Sequence, residues 1–344
     1  MNIKITGAAD TRDGYGEITQ SLALALDKLG HKVWLNPVKV WYRKETLKER
    51  TLQLLEPIKP DFELIIMYPV YDFGMIHKHA AILTMYEADK CPDVWSKKLN
   101  QLRLPIIAPS KFVADMFKNS GVTVPITVLT LGVDTSFYTA RKRAFPKNRP
   151  FRFLTMGKLE PRKNTATLVS CFQDAFKDEN VELIIKTRER FLPTRVRIAN
   201  TNDSRIKIIE KTLSEEELKK LFYYADAFIY PSKGEGFAFP PRNAVASGLP
   251  TVVTGWSALN EIPGAIKIPP SSFGPMPPCG FSYGQEKELH MANIDEVTLI
   301  NEMYSLATDK EYYEHIAETT YNTDQPTWEQ TAKQFISAVE RYAK

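Results

Sequence analysis

Short apolar runs and helical patterns alternate along almost the whole chain. Apolar runs at 3–6, 33–35, 63–67, 82–85, 106–108 and 126–129 read as strands, and runs at 151–156, 182–186, 206–209, 227–230 and 251–253 repeat the rhythm. Between the first two, Ile18, Leu22, Leu26 and Leu29 fall on one helix face that ends at Gly30, and 166–176 and 215–224 have the same spacing. Ser214 and Glu217 form a capping box ahead of the second of these. Segments 295–308, 311–320 and 327–342 read as terminal helices, and 271–283, rich in proline and glycine, as a loop. Strands that are apolar throughout and alternate with helices predict an α/β protein with parallel sheets covered on both faces. A rhythm that runs twice predicts two doubly wound domains.

At 344 residues the chain is too long for one ordinary core, and about 150 residues per domain again suggests two. The expected division is a first domain over 1–145, a second over 146–325, and a last helix over 326–344 that returns to the first. With 43% hydrophobic and 25% charged residues the composition is that of a soluble globular protein. No apolar run nears the roughly 18 residues of a membrane span, and a strand begins at Ile3, so the expected location is cytoplasmic. Cys91, Cys171 and Cys279 are odd in number and far apart, which fits reduced thiols.

The net charge of +4 hides an asymmetry: residues 1–150 carry 22 Lys and Arg against 15 Asp and Glu, and residues 151–344 carry 23 against 26. The surplus concentrates at 39–50, where Trp41 and Tyr42 sit beside Arg43 and Lys44, and at 141–149. Two readings stand, a solvated face with a basic linker, or a surface for a polyanion or an anionic membrane.

The candidate chemistry gathers at three strand-to-helix turns. After the strand 227–230, Pro231-Ser232 leads to Glu235 between Gly234 and Gly236, and Pro240-Pro241 suit the first turn of a helix that Gly248 ends. That helix is expected to aim free backbone donors at the Glu235 loop, a setting for phosphate. After 151–156, Lys158, Arg162 and Lys163 surround one turn at a sheet's carboxyl edge, and Lys158 with Lys163 could neutralise a leaving diphosphate; surface lysines near a turn are the plainer alternative. Gly14-Tyr15-Gly16 opens the first helix closely enough to approach a phosphate or sugar, but Thr19 breaks the dinucleotide fingerprint. Asp10 and Asp13 read as turn chemistry, and His77 with His79 as a solvated loop pair. The histidines form no helical metal pair, and neither a nucleophile elbow nor a P-loop occurs.

Taken together these segments resemble the retaining glycosyltransferases of the GT-B fold, in family 4. The resemblance runs through Gly14-Tyr15-Gly16, Leu29-Gly30-His31-Lys32-Val33, Ala108-Pro109-Ser110-Lys111 and Leu131-Gly132-Val133-Asp134. It continues with Met156-Gly157-Lys158-Leu159, Lys163-Asn164, Leu213 to Leu218, Ala225-Asp226, Pro231-Ser232, Glu235-Gly236-Phe237 and Gly248-Leu249-Pro250.

The resemblance implies two Rossmann-like domains facing across a cleft, a nucleotide diphosphate sugar as donor substrate, and no cofactor or metal. It implies catalytic roles for Glu235, Lys163 and Lys158, and donor contacts from Gly14, Gly16, Ser232, Gly236, Phe237, Ala238, Phe239 and Asn243. Tyr15, Glu87, Asp89 and Lys111 fall on the acceptor side. Asn243 stands where the family has a second glutamate, Ala238 where it has glycine, and Met85-Tyr86-Glu87-Ala88-Asp89-Lys90 where it has a histidine. The expected activity is transfer of a sugar to the hydroxyl of a glycan, lipid or other anionic acceptor, including a nucleic acid. The compact chain also resembles bacteriophage enzymes that glycosylate hydroxymethylated DNA bases, which would place it in a host cytoplasm. A protein that binds nucleotide sugars without turnover is the alternative from another class.

Overall fold

The computed structural model describes residues 1–9, 14–38, 47–70, 75–187, 202–278 and 282–341. Cys279, Asp10, Asp13, Trp41, Tyr42, Arg43 and Lys44 lie outside the described residues. The chain divides into two compact units, Met1–Gly132 with Pro326–Lys344, and Val133–Gln325.

The first unit holds a six-stranded sheet of β1 (Asn2–Gly7), β2 (Lys32–Pro37), β3 (Phe62–Ile66), β4 (Ala80–Leu83), β5 (Ile106–Ala108) and β6 (Ile126–Val128), ordered β2-β1-β3-β4-β5-β6 with every pair parallel. Helix α1 (Gly14–Lys28) buries Ile18, Leu22 and Leu26 completely, and Gly30 at φ 86° ends it in the left-handed region. Helices α2 (Asp93–Leu102) and α3 (Lys111–Asn119) complete the run; the Ser110 hydroxyl caps α3 by accepting the Val113 N–H at 3.2 Å. The sheet also buries one charge, Glu63, which pairs with Lys4 at 2.8 Å and accepts from the Thr6 hydroxyl and the His77 N–H. His77 and His79 bond to each other through ring and backbone and are half-buried, not solvated.

The second unit repeats the plan with β7 (Phe151–Met156), β8 (Val181–Lys186), β9 (Ile206–Ile209), β10 (Ala227–Tyr230), β11 (Thr251–Thr254) and β12 (Ile266–Ile268), ordered β12-β11-β10-β7-β8-β9, again parallel throughout. Alternate residues feed two separate cores. Phe151, Phe153, Leu183 and Ile185 pack on one face with Phe172, Phe176 and Tyr313, while Leu154, Ile184 and Phe228 pack on the other with Ala244 and Val245. The covering helices are α4 (Thr165–Ala175), α5 (Glu215–Tyr224), α6 (Phe239–Ala246), α7 (Glu296–Thr308) and α8 (Lys310–Tyr321). The Ser214–Glu217 capping box forms as expected.

Three features differ from the sequence reading. First, 271–283 is not all loop: β13 (Pro270–Pro275) pairs antiparallel with β14 (His290–Ile294). A two-stranded ribbon has only edge strands, where proline costs no interior ladder bond. Second, the unit boundary falls at Gly132 and Val133, so 133–145 belongs to the second unit and not the first.

Third, the basic stretch 141–149 is a structural strap. Arg143 is half-buried and donates to the carbonyls of Ala225 and Phe222, Arg141 stacks on Tyr223 at 3.6 Å, and Arg149 grips Asp226 through two bonds of 2.6 and 2.7 Å. These contacts tie the stretch to the second unit, while Arg141, Lys142, Lys147 and Arg149 remain exposed.

Helix α9 (Trp328–Val339) lies in the first unit, where it packs on α1, its Thr331 hydroxyl donates to the Thr130 carbonyl at 2.9 Å and Phe335 meets Phe62 edge-on. Cys91 and Cys171 are free, and burial pushes their thiols up to about 11 and about 12, so neither is a ready nucleophile. Among the described residues no helix is long and apolar enough to cross a membrane.

Candidate functional site

In the second sheet the chain starts at β7, builds outward through β8 and β9, then returns to place β10 on β7's other side. The order therefore reverses between β7 and β10, and the carboxyl ends of these neighbours are where an open parallel sheet presents a crevice. The turn after β7 carries Lys158 and Lys163, and the turn after β10 carries Ser232 and Glu235.

Glu235 is 6% exposed, and its carboxylate is gripped on one oxygen. Oε1 receives Lys163 Nζ at 2.5 Å, the Ser232 hydroxyl at 2.7 Å, Arg162 Nη1 at 3.0 Å and the Tyr230 hydroxyl at 3.1 Å. Burial alone would raise its pKa, but Arg162 and Lys163 outweigh burial and hold it down at about 2, so Glu235 is an anion. Burial, then the neighbouring Arg162 charge, pull Lys163 below the usual lysine range, with Glu235 opposing them. Burial and the Glu235 charge push the Tyr230 phenol well above the ordinary value, so its proton stays in place.

The loop is also braced through its backbone. Glu235 N–H donates to the Ser257 hydroxyl at 3.0 Å, its carbonyl accepts from Ala258, and Arg162 donates to the Gly234 carbonyl at 2.7 Å. Lys158 stands further out, 3.8 Å from Glu160, whose other oxygen is 3.9 Å from Arg162. Charges of alternating sign thus run from Lys158 through Glu160 and Arg162 to Glu235 and Lys163.

Gly236, Phe237, Ala238 and Phe239 follow as a turn into α6, with the rings of Phe237 and Phe239 edge-on at 4.9 Å. Ala238 sits at φ 69°, a left-handed conformation that glycine adopts freely and alanine resists, which is a local reason for the glycine expected there. The expected helix donors are only half present. α6 begins at Phe239, and the next two positions are Pro240 and Pro241, which have no N–H, so its first turn offers an anion the amides of Ala238 and Phe239 at most. Asn243 is half-buried on the same helix.

With this geometry in view, residues 150–271 match the family of glycosyl transferases group 1. The fold is GT-B. Over 138 residues the chain is 33% identical to MMP alpha-(1->4)-mannosyltransferase of Mycolicibacterium hassiacum, a match covering 40% of this chain and only a third (33%) of that protein.

Sucrose-phosphate synthase from Thermosynechococcus elongatus superposes with a TM-score of 0.69 at 13% identity, across 99% of this chain and 98% of that one. A glycosyltransferase from Rickettsia africae gives 0.64 at 13% identity, across 100% and 98%. The catalytic domain of starch synthase IV from Arabidopsis thaliana, bound to ADP and acarbose, gives 0.61 at 11% identity, across 100% and 99%. At these identities the likeness establishes the fold.

The matched segment holds four groups that the sequence reading passed over. Arg162 was counted as a cation of the turn but given no role. Tyr230 looked like the last residue of a buried strand, and Ser257 lies far along the chain. Arg242, in the otherwise uncharged helix α6, is also part of the frame: it is 2% exposed, stacks on the Phe237 ring at 4.2 Å and donates to the Phe237 and Ala258 carbonyls.

The remaining predicted residues belong to the first unit. Gly14 is exposed at the start of α1, Gly16 two residues on is buried, and a side chain added at Gly14 would meet nothing within 4 Å. Tyr15 is buried, with its hydroxyl within 3.2 Å of Thr84 Oγ1 and of the Met85 N–H and carbonyl, so it braces the end of β4. Glu87 and Asp89 are half-buried just beyond, while Lys111 is exposed and pairs with Asp115 one turn along α3.

Proposed function

We propose that this protein is a retaining glycosyltransferase that moves a sugar from a nucleotide diphosphate donor to the hydroxyl of a glycan or lipid acceptor. The observation that carries the reading is the Lys163–Glu235 pair at the β7–β10 reversal within the matched segment. All the hydrogen bonds to its carboxylate end on Oε1, which leaves Oε2, among the described residues, without one.

Breaking a glycosyl phosphate bond puts negative charge on the departing diphosphate and positive charge on the sugar ring. Lys163 and Lys158 are cations for the first, and Glu235, held ionised by its neighbours, is the carboxylate for the second. Transfer with retention by front-face substitution is the corresponding mechanism. No metal is assigned a role, and a chelator is expected to leave turnover unchanged. The bound ADP of the starch synthase supports a nucleotide donor.

The acceptor reading is weighted by the strap. Because Arg141, Arg143 and Arg149 each have a partner within the second unit, the basic surplus argues less for a polyanion, and a glycan or lipid hydroxyl ranks above duplex DNA with hydroxymethylated bases. The test is incubation with uridine, guanosine and adenosine diphosphate sugars, following nucleotide release and the anomer first formed by proton NMR. Slow hydrolysis of one donor with its configuration kept is the expected result. An inverted first product would remove the retaining mechanism, and tight nucleotide binding with no release would leave a non-catalytic nucleotide-sugar binding protein.

A further inference from the structure

A cavity of 310 Å³ opens in the second unit beside the Glu235 loop, walled by the start of α4, by Lys233 and by the β13–β14 ribbon. Its volume is at the lower end of the range for small-molecule sites. Asn164, Thr167, Lys233, Ser271, Asn293 and Glu296 give it a polar lining, with Val297, more than two-thirds exposed, among its apolar groups.

Asn164 is the member that points to a guest. It joins the turn after β7 to α4 at φ 57° without capping the helix, and it is only 8% exposed. Among the described residues its side-chain amide makes no hydrogen bond, although it lines the cavity. Most of the residue is covered by protein, so the open cavity is the side from which a partner for the amide donor and acceptor can come. Asn164 directly follows Lys163 and is not needed for that residue's contacts with Glu235 or Tyr230.

The walls are pinned. Lys233 bonds Asn293 Oδ1, Asn293 Nδ2 donates to the Ser272 hydroxyl at 3.1 Å, and the Lys233 backbone is tied to the Arg162 carbonyl and to the Ala292 N–H. Their charge is mixed, since the ammonium of Lys233 lies in the field of the Glu296 carboxylate, and Asp295, whose carboxylate caps α7 by accepting from the Thr298 N–H, lines the same cavity. An anion would meet two carboxylates and a cation would meet the lysine. A neutral guest whose hydroxyls both donate and accept satisfies the amides, hydroxyls and charges together.

We propose that this cavity binds a saccharide unit, free or at the end of a glycan chain, at a site separate from the Lys163–Glu235 pair. Its occupant abuts both turns of that pair, through Asn164 on one side and Lys233 on the other. Binding at this site does not depend on the transferase reading.

The test is saturation-transfer NMR on the full chain without nucleotide, using glucose, mannose, sucrose and maltotetraose as probes and inorganic phosphate as competitor. At least one saccharide is expected to receive transfer and to keep it when a nucleoside diphosphate is added; maltotetraose alone would mark a chain end, a monosaccharide a free sugar. Asn164→Gly removes the amide and suits the left-handed backbone, and Val297→Trp narrows the cavity; each should weaken saccharide binding about tenfold or more while nucleoside diphosphate affinity holds. Absence of transfer to every saccharide, transfer untouched by both substitutions, or displacement of the sugar by phosphate would each overturn the proposal.

Discussion

Lys163 Nζ lies 2.5 Å from Glu235 Oε1, and the two residues come from turns 72 positions apart that meet only because β10 is laid beside β7. Neither group is placed for the other's sake alone. Tyr230 and Ser232 share the same oxygen, and Arg162 closes over it from the lysine's own turn. Removing Glu235 leaves Lys163 buried without its carboxylate partner, and removing Lys163 leaves Glu235 to Arg162 as its paired cation.

For Glu235→Gln and Lys163→Ala we expect turnover on the best donor to fall about a hundredfold or more, the scale for losing a positioned charge at developing transition-state charge. Steady-state kinetics on purified, folded variants checks this. Near-normal turnover in either would mean that the pair serves only to hold the loop.

Stability should follow the Glu235 carboxyl. Its folded value of about 2 lies below the ordinary 4.5, so the ionised form is stabilised by folding. The contribution is complete above pH 4.5 and is lost as the pH falls through the window down to about 2, because the unfolded chain takes up the proton first. A shift of that size corresponds to roughly 3 kcal/mol. Denaturant titrations across this window should show that loss in the parent chain and a flatter profile in Glu235→Gln; parallel profiles would contradict the assignment.

Tyr230 has its ring beneath the Lys163 ammonium at 5.3 Å and its hydroxyl 2.8 Å from the same nitrogen. Tyr230→Phe keeps the ring and removes two hydrogen bonds, the one it accepts from Lys163 and the one it donates to Glu235, so donor KM should rise or kcat fall about tenfold or more, with a smaller change in melting temperature, since each bond involves a charged group. If the variant melted much earlier with unchanged kinetic constants, the hydroxyl would be structural only.

Gly132 packs against the start of α9, where an added Cβ would sit 2.2 Å from the Trp328 nitrogen and 2.3 Å from the Thr327 carbonyl carbon. Backbone cannot swing aside as a side chain can. Gly132→Ala is therefore expected to cost about 2 kcal/mol or more, or to lift α9 from its seat, visible as an earlier thermal transition or as early proteolysis of the C-terminal helix. An unchanged transition would show that α9 shifts without penalty.

Most strands and helices were legible because an apolar run bounded by turn residues has one low-energy reading wherever it lies. β5, β7, β9, β10 and α5 fall at their expected bounds. The β13–β14 ribbon was not legible, since its prolines and glycines signal turns and only the pairing partner makes them strands. The partners of Arg141, Arg143 and Arg149 were not legible for a related reason: composition counts a cation without saying what it touches.

The sequence by itself determined the α/β rhythm, the two-unit scale, and the turns on which Lys158, Lys163, Ser232 and Glu235 stand, because local pattern and backbone chemistry act over a few residues. Only the tertiary structure decided that β7 and β10 are neighbours, that Arg162 and Tyr230 join the pair, that Lys158 remains with Glu160, and that the prolines of α6 take away half its donors. Those outcomes depend on strand order and on distances between segments far apart in the chain, and no local propensity encodes them.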